Sequence, residues 1–437
     1  MTRIARFIYT RMLIILFLPI LFVISLIARF LPPSSEKPKV VFGCDPLLNN
    51  KYWSAALRER GYKSVSISAD LFYFSKVEDF DIVLISNLEK LPLLFRRVIQ
   101  YLRVFLSLVS SIYKYEIFVI TCNGYVLQFI PFLKFGYRLE YLLFKIAKKR
   151  IIVIPFGADA YIGNRVRSME FAHVLQWNYP SFTRNQFQIS KKVDFWTENA
   201  DIFIPGCMTP DGFGRWDVLT PSILCIDTSV WQPSKRLSIS NGIDSEITIS
   251  HSPNHQGIKG TEFIQEAIAR LKEDGFKIKF NLLTNLPNEQ IKKRISLESD
   301  IHIDQIVASA YALNAIESMS LGVTTILGLE NLEYTQVQRR YSFLDQCPGV
   351  SSSPERIYED LRYLIQNPDL RQELGFLGTK YVEKFHSYRS FGDLFDALVS
   401  KMYISNETLL NYYHPLNTAN SKDKLVIPLF NNKLKNQ

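Results

Sequence analysis

Short apolar runs rich in β-branched residues alternate with helical patterns along most of this 437-residue chain. A short, continuously apolar run is typical of a strand buried on both faces of a parallel sheet. The helical stretches between the runs can supply the crossovers that parallel strands need. The alternation therefore predicts an α/β protein and excludes an all-helical, all-β or disordered chain. The first predicted strands are residues 39–43, 81–85, 117–120, 151–154, 202–204 and 223–226.

A second series of the same kind follows a polar segment with Pro, Ser and Asn, residues 227–245, which we predict to be an interdomain linker. Its predicted strands are residues 246–250, 278–283, 301–303 and 324–327. Its predicted helices are residues 261–272, 311–321, 355–366 and 369–385. The length also suits two domains. We therefore predict two tandem Rossmann-like domains, 39–226 and 246–403, with an N-terminal segment 1–38 and an Asn- and Lys-rich tail 404–437.

The N-terminal segment contains an uncharged apolar run, residues 12–28, which three Arg precede and Arg29 follows. Its 17 residues are at the short end for a spanning helix, and Pro19 lies near its middle. No small-residue cleavage site follows, so we expect an uncleaved membrane anchor helix rather than a removed signal peptide. A helix kinked at Pro19 that enters and leaves on one face of the membrane is the alternative.

The net charge of +9 is concentrated in two segments. Residues 1–39 carry six Lys and Arg against one Glu, and residues 90–150 carry eleven against two, so the remainder is net acidic. Residues 91–115 and 125–150 also mix Phe, Leu and Tyr with Lys and Arg at helical intervals, which suits the headgroup layer of a membrane. Packing of these helices in their own domain is the alternative. No basic stripe recurs in the second half, so we expect a membrane partner and no nucleic acid.

The sequence gives no sign of a metal site, a cofactor or a disulfide framework. The five Cys show no Cys-x-x-Cys spacing, and we expect core thiols at positions 44, 122, 207, 225 and 347. The only Asp-x-Asp, Asp79-Phe80-Asp81, enters a predicted strand and is expected to be a surface turn.

The residues that suggest chemistry follow two predicted strands of the second series, where open α/β sheets bind ligands. After residue 250 the chain reads HSPNHQGIKG, and Lys259-Gly260 opens a predicted helix. Lys259 can offer a point charge to a diphosphate, and Gly260 allows the backbone to approach closely. His255 lies in the same loop. This loop is therefore a candidate binding site for a nucleotide diphosphate.

After residue 303 the chain enters another predicted helix, with Ser309, Ala310 and Tyr311 at its start. Free N–H groups and the helix dipole favour an anion at that position. Glu317, about two turns later, is suited to accept hydrogen bonds from a ribose diol. The alternative for Glu317 is an ordinary solvated helix residue.

These stretches resemble the GT-B glycosyltransferases, specifically the group 1 retaining enzymes that use nucleotide-sugar donors. The resemblance rests on Lys259-Gly260, on Asp304-Gln305 and on residues 315–322 before a strand. Weaker matches are residues 155–161, 226–233 and 378–387. The family implies the GT-B arrangement of two Rossmann-like domains. It also implies hexosyl transfer from a nucleotide-diphosphate sugar to a hydroxyl, with retention of configuration and without a required metal.

The resemblance also implies roles for particular residues. Lys259, His255 and the helix start at residues 309–311 would stabilise the leaving diphosphate. The predicted topology, and not the resemblance, places three further candidates at strand ends: Asp159 would contact the acceptor or the sugar, Asn123 is a second catalytic candidate, and Asp45 would lie on the acceptor side. His251 could either contact the donor or serve in the core, and we expect structural roles for His173, His302 and His386.

The chain departs from the family pattern at three places. Ser309 stands where a first Glu is frequent, no Arg precedes Lys259, and Thr121-Cys122-Asn123-Gly124 follows the strand that often carries a His. Donor binding is therefore better supported by the residues than the catalytic step is.

Three functions fit this pattern. The first is a membrane-associated glycosyltransferase acting on a lipid-linked or polysaccharide acceptor. The second is a nucleotide-sugar 2-epimerase of the same architecture, and the third is a non-catalytic nucleotide-sugar-binding scaffold. The Lys-, Asn- and Ile-rich usage favours a bacterial inner-membrane protein whose catalytic domains face the cytoplasm.

Overall fold

The computed structural model of the chain describes residues 3–34, 36–72, 75–85, 92–130, 133–205, 212–233, 239–404 and 407–417. The side chains of residues 3–14 and of Leu93, Leu94, Arg97 and Leu332 are not among those described. Cys207 and tail residues 418–437 also lie outside the described residues.

The chain divides into two compact units. The first draws on Met1–Ala160, Lys191–Ile204 and Leu398–Asn406, and the second on Tyr161–Ser190, Pro205–Ala397 and Glu407–Gln437. Residues 161–190 therefore belong to the second unit, although they follow strands of the first.

Within its described part the chain forms strands and α-helices in alternation. The strands are β1 (Val40–Phe42), β2 (Ser64–Ser68), β3 (Ile82–Val83), β4 (Ile117–Ile120), β5 (Arg150–Val153), β6 (Ile202–Phe203), β7 (Ile247–His251), β8 (Ile278–Leu282), β9 (Ile301–Ile303), β10 (Thr324–Leu327) and β11 (Val350–Ser351). The helices are α1 (Arg3–Ala28), α2 (Leu48–Glu59), α3 (Leu93–Lys114), α4 (Gly136–Ile146), α5 (Met169–Asn178), α6 (Pro180–Arg184), α7 (Gln186–Asn199), α8 (Gln256–Lys259), α9 (Thr261–Glu273), α10 (Asn288–Glu298), α11 (Leu313–Ser320), α12 (Leu332–Tyr341), α13 (Ile357–Gln366), α14 (Pro368–Phe385) and α15 (Tyr388–Tyr403).

The first unit is built on a parallel sheet with the strand order β3-β2-β1-β4-β5-β6. The central strand β1 pairs with β2 and β4, which places Val41 beside Val65 and Phe118. All residues of β1 and β4 are buried, as a parallel sheet covered on both faces requires. The strand order reverses between β1 and β4, and this is the point at which doubly wound sheets bind ligands.

The second unit contains a separate parallel sheet with the order β11-β10-β9-β7-β8. Ile249 of β7 pairs with Ile301 of β9, and both side chains are fully buried. Buried residues of α9 and α13 pack against these strands in one apolar core that includes Ile264 and Leu361. The strand order of this sheet reverses between β7 and β9.

The predicted α/β class with two Rossmann-like sheets is confirmed. Residues 223–226, however, are not a strand, and their apolar character reflects burial of an irregular segment that makes a single bridge, Ile226 to Ser387. Strand β2 was not predicted, because its sequence SVSIS is not a continuous apolar run. The strand is nevertheless buried except at Val65. The unpredicted β11 is an edge strand of only two residues.

No helix among the described residues has both the length and the apolar character needed to cross a membrane. The predicted transmembrane anchor is therefore not supported, and the side chains of its first residues, 12–14, are outside the described set.

The described part of α1 packs against the first unit through one face only. Leu21, Ser25 and Ala28 are buried, and Phe17 stacks on Phe105 of α3 with ring centroids 4.5 Å apart. The segment after α1 is held by Ser34, whose hydroxyl donates to a carboxylate oxygen of Glu116 over 2.6 Å. The N-terminal helix is thus joined to the first unit by packing.

We expect Gly375→Ala to destabilise the second unit. A Cβ at Gly375 in α14 would lie 2.1 Å from the carbonyl oxygen of Gly322, a backbone atom that cannot rotate away. Overpacking of this kind costs about 1–3 kcal/mol, against roughly 1 kcal/mol that Ala contributes as a better helix former. Urea denaturation followed by the fluorescence of Trp231, which is buried in the same unit, measures the change. The matched variant Glu373→Ala, at an exposed position of α14, should leave the midpoint unchanged, and equal midpoints for both variants would contradict the packing.

Candidate functional site

The candidate donor site of the second unit lies at the carboxyl ends of β7 and β9, where the strand order of that sheet reverses. The loop after β7 leads into α8 and carries His255, Lys259 and Gly260. The loop after β9 carries Asp304 and Gln305 and leads into α11. The two polar stretches singled out in the sequence therefore do meet at one sheet edge.

The ammonium of Lys259 is held by side chains of the loop after β9 and does not project freely into the site. Its ammonium lies 2.5 Å from Oδ1 of Asp304 and 2.9 Å from Oε1 of Gln305. The side chains of Lys259 and Asp304 are only 8% and 1% exposed. The second oxygen of Asp304 accepts the N–H of Ala312 over 2.8 Å. The lysine thus fastens the loop after β9 to the loop after β7, and Asp304 offsets much of its charge.

Gly260 allows the same two loops to approach each other closely. Its φ of 77° is left-handed, and a Cβ there would lie 2.6 Å from Cγ1 of Ile306. The close approach that its residue type suggested is therefore to the side chain of Ile306 in the loop after β9. Gln305 holds that loop from within, since its amide donates to the carbonyls of Ala308, Ser309 and Ala310.

The helix predicted to start at residues 309–311 begins two residues later, at Leu313. Ala310 has a φ of 70°, and its N–H donates to the carbonyl of Gly328 over 2.6 Å, so this group is not available to an anion. The Tyr311 hydroxyl lies in the core, 2.7 Å from that of Tyr381 and 2.9 Å from Nε2 of His386. At this end the N–H of Ala312 donates to Asp304 and that of Ala315 to the carbonyl of Ala312 over 3.1 Å. The N–H groups of Leu313 and Asn314, in the first turn of α11, are therefore those that can face an anion.

Glu317 is buried in α11, with only 3% of its surface exposed. Its Oε1 lies 3.2 Å from the amide nitrogen of Asn288, the first residue of α10. This burial excludes the alternative that Glu317 is an ordinary solvated helix residue. Desolvating a carboxylate is costly, so its burial needs hydrogen-bond partners. Asn288 was not predicted as a site residue, since it is close to Glu317 only in the folded chain.

His255 lies at the start of α8 beside a residue that the sequence did not indicate. Its Nδ1 is 2.5 Å from the hydroxyl of Tyr179, and the two rings are edge to face with centroids 5.4 Å apart. Burial and the charge of Lys259 lower the pKa of His255, which favours the neutral imidazole. Tyr179 belongs to the segment 161–190, whose apolar residues pack on Ala308 and on Ile258 of α8.

The other histidines of this unit are structural where they are buried. His251 bonds through one ring nitrogen to the carbonyl of Ile303 and through the other to the hydroxyl of Thr261, and burial lowers its pKa to about 3. Burial also lowers the pKa values of His302 and His386 to about 4. His173 lies on the exposed side of α5. Both alternatives for His251 thereby resolve to the core role.

A second polar cluster lies in the first unit at the carboxyl ends of β1 and β4, where the order of that sheet reverses. The hydroxyl of Thr121 donates to Asp45 Oδ2 over 2.5 Å. Asn123 Oδ1 accepts from the ammonium of Lys192 in α7 over 2.9 Å. Burial lowers the pKa of Lys192, while Asp159 and Asp45 raise it. Sequence reasoning missed Lys192, because nothing in α7 distinguishes it from the surface lysine beside it.

Asp159 reaches the same cluster from the loop after β5, and its carboxylate is occupied by backbone. Oδ2 accepts the N–H of Cys122 over 2.8 Å, and Oδ1 accepts those of Phe156 and Gly157 over 2.9 and 3.0 Å. Only 2% of the residue is exposed. Burial and the nearby Asp45 raise its pKa to about 7, although the three N–H donors oppose the shift. Asp159 therefore holds two loops together, and Asn123 and Lys192 are the more accessible members of the cluster.

No group of three or more His, Cys, Asp or Glu side chains suited to a metal ion occurs in the described ranges. Both acids of Asp79-Phe80-Asp81 pair with cations, Asp79 with Lys51 at 2.5 Å and Asp81 with Arg58 at 3.0 Å. Cys44, Cys122, Cys225 and Cys347 are buried residues that take part in no disulfide, as predicted for core thiols.

The fold is similar to those of solved glycosyltransferases. Sucrose-phosphate synthase from Thermosynechococcus elongatus matches 84% of this chain and 99% of its own, with a TM-score of 0.53 and 12% identity. A glycosyltransferase from Rickettsia africae ESF-5 matches 84% of this chain and 100% of its own, with a TM-score of 0.48 and 12% identity. The resemblance to GT-B glycosyltransferases is thereby confirmed for the fold. No protein-family model and no curated protein matches the sequence.

We expect Asp304→Ala to lower the free energy of unfolding by about 3–5 kcal/mol, because it leaves the Lys259 ammonium buried without its partner. The double variant Lys259→Met with Asp304→Leu removes both charges and should recover most of that loss. A double-mutant cycle of Lys259→Met, Asp304→Leu and the double variant, followed by urea denaturation, measures the coupling between the two positions. Additive losses in the cycle would mean that the two side chains do not stabilise each other.

The raised pKa of Asp159 predicts a pH dependence of the stability of the first unit. With an ordinary pKa near 3.9 in the unfolded chain and about 7 in the folded one, the folded form binds more protons between these values. The free energy of unfolding should therefore fall as pH rises from about 4 to about 7. Asp159→Asn should flatten this slope in denaturation curves across that range. An unchanged slope in the variant would mean that Asp159 is ionised throughout.

Proposed function

We propose that this chain is a glycosyltransferase that moves a sugar from a nucleotide-diphosphate sugar to a hydroxyl of a lipid-linked or polysaccharide acceptor. The observation that carries the proposal is the buried carboxylate of Glu317 at the edge where β7 and β9 end and their order reverses. A buried acid at such an edge is suited to hold a hydroxyl-rich ligand such as a ribose.

The donor would be bound by three features of the second unit. Glu317 would accept hydrogen bonds from the ribose diol, and the first turn of α11 would offer backbone N–H groups to the diphosphate. Lys259 would add little free charge, since Asp304 pairs with it at 2.5 Å. His255, neutral and held by Tyr179, would be a hydrogen-bond partner for a phosphate oxygen. The diphosphate is thus expected to be bound chiefly by dipoles.

The proposed reaction breaks the bond between the anomeric carbon and the phosphate oxygen, whose electron pair leaves with the nucleoside diphosphate. The acceptor oxygen forms the new bond to the anomeric carbon, and its proton passes to the oxygen of the departing diphosphate. The resemblance to the group 1 enzymes supports retention of configuration and a mechanism without a metal. Hydrogen-bond donors aimed at the departing diphosphate would stabilise the charge that develops there.

The acceptor would be bound in the first unit, at the carboxyl ends of β1 and β4. Asn123 and Lys192 are half-buried there and offer an amide and an ammonium to hydroxyl groups. Asp45 and Asp159 would act as positioning residues, because both are buried and fixed by hydrogen bonds. Asp159 is thus proposed to fix the loops of the acceptor site through its hydrogen bonds to their backbone, without contacting the acceptor itself.

We further propose that the protein works at the cytoplasmic face of a bacterial inner membrane. Exposed apolar side chains on α1 and α3 of the first unit support the membrane contact. Contact of these side chains with the membrane would bring the first unit close to an acceptor that the membrane presents.

A non-catalytic nucleotide-sugar-binding scaffold is the second candidate. The pairing of Lys259 with Asp304 favours it, because this removes the one cation that the sequence offered to the leaving group. The epimerase alternative of the sequence has no specific structural observation in its favour.

We expect Glu317→Gln to weaken binding of a nucleoside diphosphate sugar about tenfold to a hundredfold, since hydrogen bonds to a charged group contribute about 1.5–3 kcal/mol. Calorimetry with uridine and guanosine diphosphate sugars measures the affinity. The matched control Glu289→Gln, an exposed acid one residue after Asn288, should bind as the unchanged protein does. Equal affinities for both variants would remove the donor-site assignment.

Turnover distinguishes the candidate functions. Purified protein is incubated with labelled nucleotide sugars and a membrane lipid extract, and label in lipid or glycan supports the transferase. Epimerised free nucleotide sugar would identify the epimerase. Tight donor binding without turnover on any acceptor would identify the scaffold.

A further inference from the structure

An exposed apolar stripe runs along α3 of the first unit. It consists of Phe95, Leu102, Leu106 and Tyr113, which are 62%, 38%, 62% and 53% exposed. At 3.6 residues per turn all four lie within about 20° of one line along the helix. A stripe with this spacing is a continuous face and not a scatter of single exposed residues.

Helix α1 lies beside this stripe and adds a second exposed apolar face. Phe105, on which Phe17 of α1 stacks, is turned about 80° around α3 from the stripe. The packed face of α1 carries Leu21, Ser25 and Ala28. Its outer face carries six apolar residues that are between 46% and 71% exposed, namely Ile15, Leu16, Ile20, Val23, Leu26 and Ile27.

Basic residues border the stripe on the other side of α3. Arg96, Arg103 and Lys114 lie about 80–100° from it by the same geometry. Helix α3 therefore has three sectors: a buried one, an exposed apolar one and a basic one. This is the arrangement of a helix that lies in the plane of a membrane interface, with its apolar face among the acyl chains and its cations among the headgroups.

A basic pocket of about 710 Å³ opens at the end of α3. Its lining includes Lys39, Arg58, Lys63 and Lys114, from the residues before β1, β2 and β4. Arg58 pairs with Asp81. In the part of the chain that the structure describes, no ion pair joins Lys39, Lys63 or Lys114 to an acid, so three ammonium groups remain for an external anion.

We propose that α1 and α3 form a docking face for an anionic phospholipid bilayer and that the basic pocket binds a lipid phosphate at its edge. The inference rests on the membrane association proposed above and names its surface and its lipid class. Apolar burial and attraction to anionic headgroups add on such a face. A zwitterionic bilayer would use the apolar stripe alone.

The first test separates the apolar face from the rest of the protein. The double variant Leu102→Ser with Leu106→Ser should lower co-sedimentation of the full chain with phosphatidylcholine–phosphatidylglycerol vesicles at least tenfold. Phe376→Ser, which makes a similar change at a 61% exposed position of α14 in the second unit, should sediment as the unchanged protein does. Equal sedimentation of both variants would overturn the docking face.

The second test addresses the pocket. Lys39→Gln with Lys63→Gln should weaken binding to the anionic vesicles about fivefold for each charge, and leave binding to pure phosphatidylcholine vesicles unchanged. Lys39→Arg with Lys63→Arg keeps both charges and should keep the preference for anionic lipid. Loss of that preference with the Arg variant, or its persistence with the Gln variant, would overturn the pocket assignment.

A second copy of the chain is the competing occupant of the apolar face. Analytical ultracentrifugation without lipid tests it: a dimer that Leu102→Ser with Leu106→Ser converts to a monomer would overturn lipid docking in favour of self-association. Vesicle binding requires neither donor nor acceptor. Protein that binds vesicles but transfers no sugar would therefore refute the proposed activity alone, and normal transfer to a soluble acceptor without vesicle binding would refute the docking face alone.

Discussion

Parallel strands carry all their carboxyl ends to one edge of a sheet, and the candidate site residues of both units are brought together by this constraint. Where the strand order reverses, the two loops that leave neighbouring strands turn to opposite faces and a crevice forms between them. In the first unit this brings Asp45 together with Thr121, and in the second it brings Lys259 together with Asp304. These pairs are 76 and 45 residues apart in the chain, so the topology determines which side chains meet.

Once they meet, the buried carboxylates are used mainly to hold loops. Asp159 accepts three backbone N–H groups, and Glu140 accepts those of Tyr125 and Leu127 over 2.7 and 2.6 Å. Such bonds offset the cost of burying an acid. The consequence for function is that Asp45, Asp159 and Asp304, which the sequence analysis singled out, support the loops, whereas Glu317 is the acid proposed to bind the donor. Half-buried residues such as Asn123 and Lys192 remain for contact with a ligand.

The sequence supported prediction of the sheets better than of the site, for a physical reason. Apolar runs identify strands that are buried on both faces, such as β4 and β9, because burial alone produces that pattern. They do not identify β2, which contains three serines. A buried serine must have a hydrogen-bond partner, as Ser66 has when its hydroxyl donates to Asp81. The contact between Tyr179 and His255 spans 76 residues and depends on how residues 161–190 fold back. Local patterns contain no information on such contacts. Helix α11 likewise begins later than predicted, because the N–H of Ala312 donates to the side chain of Asp304.

The proposed docking face and the proposed acceptor site of the first unit depend on the same crossover. Helix α3 connects β3 to β4, so it runs from the carboxyl edge of the sheet back to the amino edge. Its 22 residues span about 33 Å. Lys114 and the basic pocket lie at the amino edge, whereas Phe95 begins the apolar stripe near the edge that carries Asp45 and Asn123. A bilayer that follows the stripe would therefore reach from the lipid phosphate pocket to the edge of the candidate acceptor site, which a membrane-presented acceptor requires.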